Sequence, residues 1–278
     1  MLSGVKHLRH QDLRRTMRRN MQKLWVTYKY KVSNSPMKSM STNYTTIFFD
    51  YEGKWAVSTE SSNSRKGVEH VISVLKSYGI PATFNIVGNL IFEEADIINR
   101  ISEDGHEIAC HTVAHTLVHT YSPKAVEEEI LKFRAMMKGV TPKIVGFRAP
   151  QDEWNRNTLS GLLNAGVTWN AQVDPAPHPY VILSKDHMRL WRMPVTIDDW
   201  AMEGFGLSPA EMYNIWLKAN NEAQTQHRFF SIGFHPWILG RDTNRLVAFS
   251  RFVEYLSSKG ETKIATFAEI ADLCETNI

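Results

Sequence analysis

The sequence predicts an α/β protein in which parallel strands alternate with helices, as an open sheet or a barrel. Three observations point there. Short runs rich in Ile, Val and Phe alternate along the chain with segments whose apolar residues recur at helical spacing. A length of 278 residues is ordinary for a β/α barrel. The polar residues able to do chemistry gather just after the predicted strands, where the C-terminal ends of parallel strands open onto one face.

Taken in order, residues 13–28 place Leu13, Met17, Met21, Leu24, Trp25 and Tyr28 at helical spacing with arginines between them, a basic amphipathic helix. The polar stretch Ser33 to Thr42 reads as a linker, which divides the chain into an extension, 1–42, and a domain, 43–278. From Tyr44 the alternation begins. Strands are expected at 45–49, 82–87, 107–110, 144–147, 169–173, 190–195, 229–234 and 263–266, with helices at 67–78, 93–103, 122–137, 156–165, 208–225, 243–258 and 267–274. Ser122 is a good N-cap, with Glu127 to Glu129 toward the positive end of its helix dipole.

Composition narrows the class. The chain is 43% hydrophobic and 22% charged, as in a globular protein able to bury a core. No uncharged apolar run reaches membrane-spanning length, and the first residues lack the apolar core of a secretory signal. Cys110 and Cys274 form no metal or redox spacing and read as reduced thiols, so a cytoplasmic location is expected. Residues 1–42 hold ten Lys or Arg and one acid, Asp12; that segment is +9 and the rest of the chain −6 within a net charge of +3. Such an extension suits contact with the inner face of a membrane, packing on the barrel or in a homo-oligomer, or a disordered tail. No GxGxxG or GxxxxGK[ST] loop suggests a nucleotide site, and no nucleic-acid partner is expected.

Six segments bring chemistry to the strand ends: Asp50 with Glu52, His111 with His115, Arg148, Asp174, Asp198 with Asp199 and Trp200, and His235. His111 and His115 are four apart, and one helical turn would turn both imidazoles toward a shared metal; two histidines so spaced are otherwise ordinary surface or core residues. Asp50 and Glu52 are two apart, so an extended chain points both the same way. Beside a metal, one carboxylate can bind the ion and the other take a proton from water. Arg148 at a strand end is suited to pairing with the base carboxylate, and His235 after an apolar strand to acting as a general acid. Trp154, Trp200 and Trp237 fall in loops of the same face, where rings stack on sugars or pack into the core. His106 and His119 are left as supporting or surface groups.

The segments FFDYEG, HTVAH, FRAP, VDP and FHP occur in the order of the five motifs of polysaccharide deacetylases, and IPATFNIVG and GHEIACHTVAH resemble text around those motifs. The chain from Tyr44 onward therefore resembles that NodB-like family. MPVTIDDW, FHPWILGRDTNRL and IATFAEIAD are most similar to its branch containing Helicobacter-type peptidoglycan deacetylases and PuuE-type allantoinases.

The resemblance implies a distorted (β/α)7–8 barrel and metal-dependent hydrolysis, with a divalent ion, usually Zn²⁺, held by His111 and His115. It implies Asp50 as base and Glu52 as third ligand, although the reverse division also fits the residues, with Tyr51 in place of the more common second Asp and near the reacting carbonyl. His235 would be the acid, partnered by Asp174; Asn170 is a second candidate for the fourth motif. Trp154, Trp200 and Trp237 would line the sugar site. The expected reaction removes an N-acetyl group from an amino sugar of a cell-surface glycan or its precursor. The alternatives are another amide, such as a formamido sugar on a lipid carrier or a cyclic ureide, and a barrel that binds carbohydrate without turning it over.

Overall fold

The computed structural model describes residues 43–55, 61–141, 143–260 and 262–276. The extension 1–42, its basic helix and the proposed boundary lie outside the described residues.

The alternation takes the expected form. β1 (Asn43–Tyr51) leads to α1 (Ser61–Tyr78), β2 (Thr83–Ile86), α2 (Ala95–Glu103), β3 (Glu107–Cys110), α3 (Pro123–Met136), β4 (Gly146–Phe147), α4 (Arg156–Asn164) and β5 (Trp169–Val173). A hairpin then interrupts it, β6 (Tyr180–Lys185) with β7 (Met188–Val195), followed by β8 (Ile197–Asp198), α5 (Asp199–Glu203), α6 (Pro209–Thr225), β9 (Phe230–Phe234), α7 (Pro236–Leu239), α8 (Thr243–Ser257), β10 (Thr262–Ile264) and α9 (Phe267–Thr276). Ser122 caps α3 as expected, its side chain accepting from Ala125 N. Two strands were not anticipated. β6 pairs antiparallel at a sheet edge, outside the βα rhythm, and β8 is only two residues long. Among the described residues no helix is long and apolar enough to cross a membrane.

The sheet runs β6-β7-β5-β4-β3-β2-β1-β9-β8, with β10 added to the first residues of β1. Near the β6 edge, β7 runs directly into β8 at the opposite edge, the two separated in the chain by Thr196 alone. Thr196 N donates to Ser231 O of β9 at 3.2 Å, and Ser231 Oγ donates to Pro194 O of β7 at 2.6 Å. One kinked strand, β7–β8, thus bridges β5 and β9 and curls the sheet around one core; the α/β class is the one expected, formed as a mixed sheet rather than a closed barrel.

Strand alternation then sorts side chains to two faces. Phe48, Ala109, Trp169, Ala171, Trp191, Met193 and Val195 form one core with Phe267 of α9, inside the curl of the sheet. A larger core lies between the sheet and the helices. The interior is tight enough to require glycine at two places. A Cβ on Gly146 would run into the Trp169 ring, and one on Gly233 into Phe48. On β1 the interior face continues from Phe48 to Asp50, and Glu52 follows on the same side just past the strand. The packed floor gives way there to carboxylates.

Candidate active site

Asp50, Glu52, His115, Arg148, Asp152, Asp198, Trp200, His235 and Trp237 line one cleft at the C-terminal ends of the strands. The face predicted from strand-end positions is the one observed.

His111 directly follows β3 and His115 lies in the loop beyond it. The helical turn expected to align them is absent: Thr112 and His115 both have left-handed φ, 65° and 55°. The loop is held by Thr112 Oγ1 accepting from Thr116 N and by Glu129 accepting from Val113 N. Both imidazoles still converge on Glu52, whose Oε1 is 2.9 Å from His115 Nε2 and 3.6 Å from His111 Nε2. His111 Nδ1 faces the Arg148 carbonyl at 2.8 Å, which assigns its proton to Nδ1 and frees Nε2. Both Nε2 atoms are buried and turned to Glu52, and the three candidate ligand atoms lie within 4.8 Å of one another. Two imidazoles and a carboxylate whose lone pairs meet at one point fit a divalent cation.

Asp50 is 2% exposed and fully engaged. Asn85 Nδ2 donates to its Oδ1 at 2.8 Å and Arg148 Nε to its Oδ2 at 2.6 Å. Burial opposes its charge, but Arg148, His111 and His235 outweigh it and hold the carboxyl below its usual range. Glu52 behaves likewise: burial is outweighed by His111, His115 and His235, and it lies well below the usual value. Arg148 itself is surrounded by acids, with Asp198 at 3.4 Å and Asp152 at 3.8 Å besides Asp50.

His235 follows β9 and is gripped by Asp199, which accepts from its backbone N at 2.9 Å and lies 2.7 Å from its Nδ1. Its Nε2 faces Asp50 and Glu52 at 3.8 and 3.9 Å. Burial disfavours the imidazolium, but Asp199 first, then Glu52 and Asp50, raise its pKa to about 10. Burial pushes Asp199 up to about 6.

Several expected partners are placed differently. Asp174 does not reach His235; it accepts from Ala176 N and from Tyr180 OH and lies 3.6 Å from Arg192, on the outer face of the β5–β7 wall. The acid beside His235 is Asp199 in IDDW, and the Asp-Trp pair ahead of the final His-Pro is the signal that could have found it. Asn170 also faces outward, donating to Trp191 O. Tyr51, between two inward carboxylates, must point the other way; its ring is core and its hydroxyl meets Glu94. Trp154 is buried under Arg192, whose guanidinium sits 4.2 Å over its ring. Trp237 lines the cleft but is 2% exposed, and its Nε1 donates to Glu52 Oε2 at 3.1 Å. Trp200 alone of the three rings stands partly in solvent, 36% exposed. His106 is buried against Phe84, and His119 lies 3.8 Å from Glu153.

A family model described as polysaccharide deacetylase matches residues 39–169. A chitooligosaccharide deacetylase from Bradyrhizobium sp. (strain ANU 289) is 31% identical over 110 residues, 38% of this chain and 49% of that one. The chain thus spans about half the length of the chitooligosaccharide deacetylases it matches. A peptidoglycan deacetylase from Helicobacter pylori is 23% identical over 243 residues, 74% of this chain and 83% of that one. The solved structure of PuuE allantoinase superposes with a TM-score of 0.74 at 19% identity, over 86% of this chain and 93% of that one, a likeness of fold. The matched 39–169 segment holds Asp50, Glu52, His111, His115 and Arg148, and over that segment the chain is similar to polysaccharide deacetylases.

Proposed function

We propose that this protein is a divalent-metal-dependent amide hydrolase that removes the N-acetyl group from an amino sugar of a glycan or glycan precursor. The observation that carries the reading is one cleft in which three converging ligand atoms stand beside a buried Asp50–Arg148 pair and a buried His235–Asp199 pair. The deacetylase relatives support the choice of an acetylated glycan as substrate.

Glu52, His111 and His115 would hold the ion, and two imidazoles with one carboxylate suit Zn²⁺. When bound, the ion supplies positive charge that polarises the amide carbonyl and acidifies water. Asp50, kept ionised and aimed by Arg148 and Asn85, takes the proton of the attacking water. His235, kept protonated by Asp199, delivers a proton from Nε2 to the leaving amine. Only its Nε2 is available for this, because Nδ1 is committed to Asp199. Acetate and the free amino sugar leave.

The test is metal analysis of the purified protein together with acetate release from N-acetylglucosamine oligomers, before and after chelation. Stoichiometric metal with chelator-sensitive acetate release is expected; acetate release that survives removal of all metal contradicts the reading. A second reading, hydrolysis of a different amide, is favoured by the likeness to an allantoinase fold. Turnover of a cyclic ureide in the same assay, with no acetate from any sugar, would select it.

A further inference from the structure

Trp237 occupies an unexpected position for a cleft aromatic. Its indole is 2% exposed, so it offers no free face to a sugar, and its N–H points at Glu52 Oε2, 3.1 Å away. The other oxygen of that carboxylate, Oε1, is the one turned to His115 and His111. We propose that Trp237 is a positioning residue for Glu52, its indole N–H anchoring one carboxylate oxygen so that the other is presented to a divalent cation. This rests on the reading of Glu52, His111 and His115 as the cation site.

A glutamate side chain has three rotatable bonds, and each unfixed torsion must be ordered when an ion binds. A hydrogen bond that holds the free carboxylate in its ligating rotamer removes that cost in advance, and it is geometrically impossible for a hydroxyl-less phenyl ring to supply it. The ring is itself fixed from outside. Arg241 lies 4.6 Å over it and is paired with Glu203, while Trp200 packs edge-on at 5.9 Å. A cation over the indole also withdraws electron density from the ring, which makes the N–H a better donor.

A merely structural need to satisfy a buried indole does not explain the contact. Trp216 is 1% exposed, and its Nε1 has no hydrogen-bond partner among the described residues. This fold tolerates an unpaired buried indole N–H in its core, so the pairing of Trp237 with this one carboxylate serves the carboxylate.

The experiment titrates Zn²⁺ into the full-length apo protein in competition with a chromophoric chelator, alongside the melting temperature of each apo form. Trp237→Phe should weaken Zn²⁺ binding by about 10- to 100-fold, the range found when a group supporting a metal ligand is removed. Trp216→Phe, the same change at a buried indole that touches no carboxylate, should leave the affinity as it was. Replacing Trp237 with benzothienylalanine, which keeps the ring shape and puts sulfur in place of the N–H, should weaken binding as Phe does; it decides the matter if the Phe variant does not fold. Wild-type affinity in the benzothienylalanine form overturns the proposal while leaving the cation site intact. A wild-type protein that takes up no divalent ion overturns both.

Discussion

Among the described residues two arginines are buried against aspartates, on opposite faces of one sheet. Arg148 and Asp50 meet at 2.6 Å on the inner face of the curled sheet, where the aspartate also faces His235 and the cleft. Arg192 and Asp174 lie 3.6 Å apart outside the β5–β7 wall, with side chains 0% exposed and the Trp154 ring beneath the guanidinium. The residue types are the same, and both acids come at or just past a strand end. What separates them is the side of the strand each points to. Asp50 shares the inward face with Phe48, whereas Asp174 lies two residues beyond Gln172, on the face away from Trp169 and Ala171. A buried ion pair takes part in chemistry when its far side opens on substrate; a sealed pair can only hold structure together.

The largest effect expected lies at the inner site. His111→Ala or His115→Ala removes one of three converging ligands and should abolish both stoichiometric metal and acetate release, while far-ultraviolet circular dichroism stays native, because neither imidazole belongs to the apolar cores. Metal retained at full occupancy in either variant would detach that histidine from the ion.

The two aspartates then give the sharpest contrast. Asp50→Asn should keep metal and fold but lose about 10²- to 10⁴-fold in kcat, as expected when a general base is neutralised. Asp174→Asn should leave kcat close to wild type and instead cost about 3 kcal/mol of stability in denaturant unfolding, since Arg192 is left buried without its counter-charge. A reversal, with Asp174→Asn inactive and stable, would return the catalytic role to the outer pair.

How much of this was legible beforehand follows from the same distinction. The βα order could be read because apolar runs and helical spacing are local properties, and strands such as Glu107–Cys110 and Trp169–Val173 fall where expected. His111, His115, Asp50, Glu52, Arg148 and His235 could be read because strand ends share one face. The partner of His235 could not be assigned in that way. VDP and IDDW both place acids after strands, and only the kink at Thr196, which carries β8 against β9, brings Asp199 beneath His235. Nor could spacing reveal how His111 and His115 converge, since the loop between them depends on left-handed Thr112 and on Glu129 from α3.

A smaller effect concerns pH. His235 sits near 10, above the 6.5 of an ordinary imidazole, so it holds its proton through the neutral range. A general acid works only while protonated, and activity should fall on the alkaline side as that proton leaves. Asp199→Asn removes the strongest of the charges that keep it on. The alkaline limb of the kcat profile should move down by about 1 to 3 units, the usual reach of one adjacent opposite charge. The linked stability has the same sign: the contribution of this pair is fully present below pH 6.5 and disappears as pH rises through about 10. The variant should therefore lose stability relative to wild type at pH 6 and converge on it at high pH. An unmoved alkaline limb would assign the acid elsewhere.

The smallest effect repeats the inner-versus-outer contrast with rings in place of charges. Trp200 lies in the first turn of α5 at the cleft, with its ring 6.1 Å from that of His235 and 36% exposed, where a pyranose entering the cleft would meet it. Trp154 is 5% exposed and its face is already covered by Arg192. Losing a ring contact of about 0.5–1.5 kcal/mol changes an equilibrium by roughly two- to tenfold. Trp200→Ala should accordingly raise KM for a sugar oligomer within that range and leave kcat nearly unchanged, because an indole ring neither transfers the proton nor holds the ion. Trp154→Phe should leave KM alone and lower the melting temperature, because what it loses is packing against a buried guanidinium. Should Trp154→Phe raise KM as Trp200→Ala does, substrate must reach the outer wall of β5, and the division between a working inner face and a structural outer one would fail.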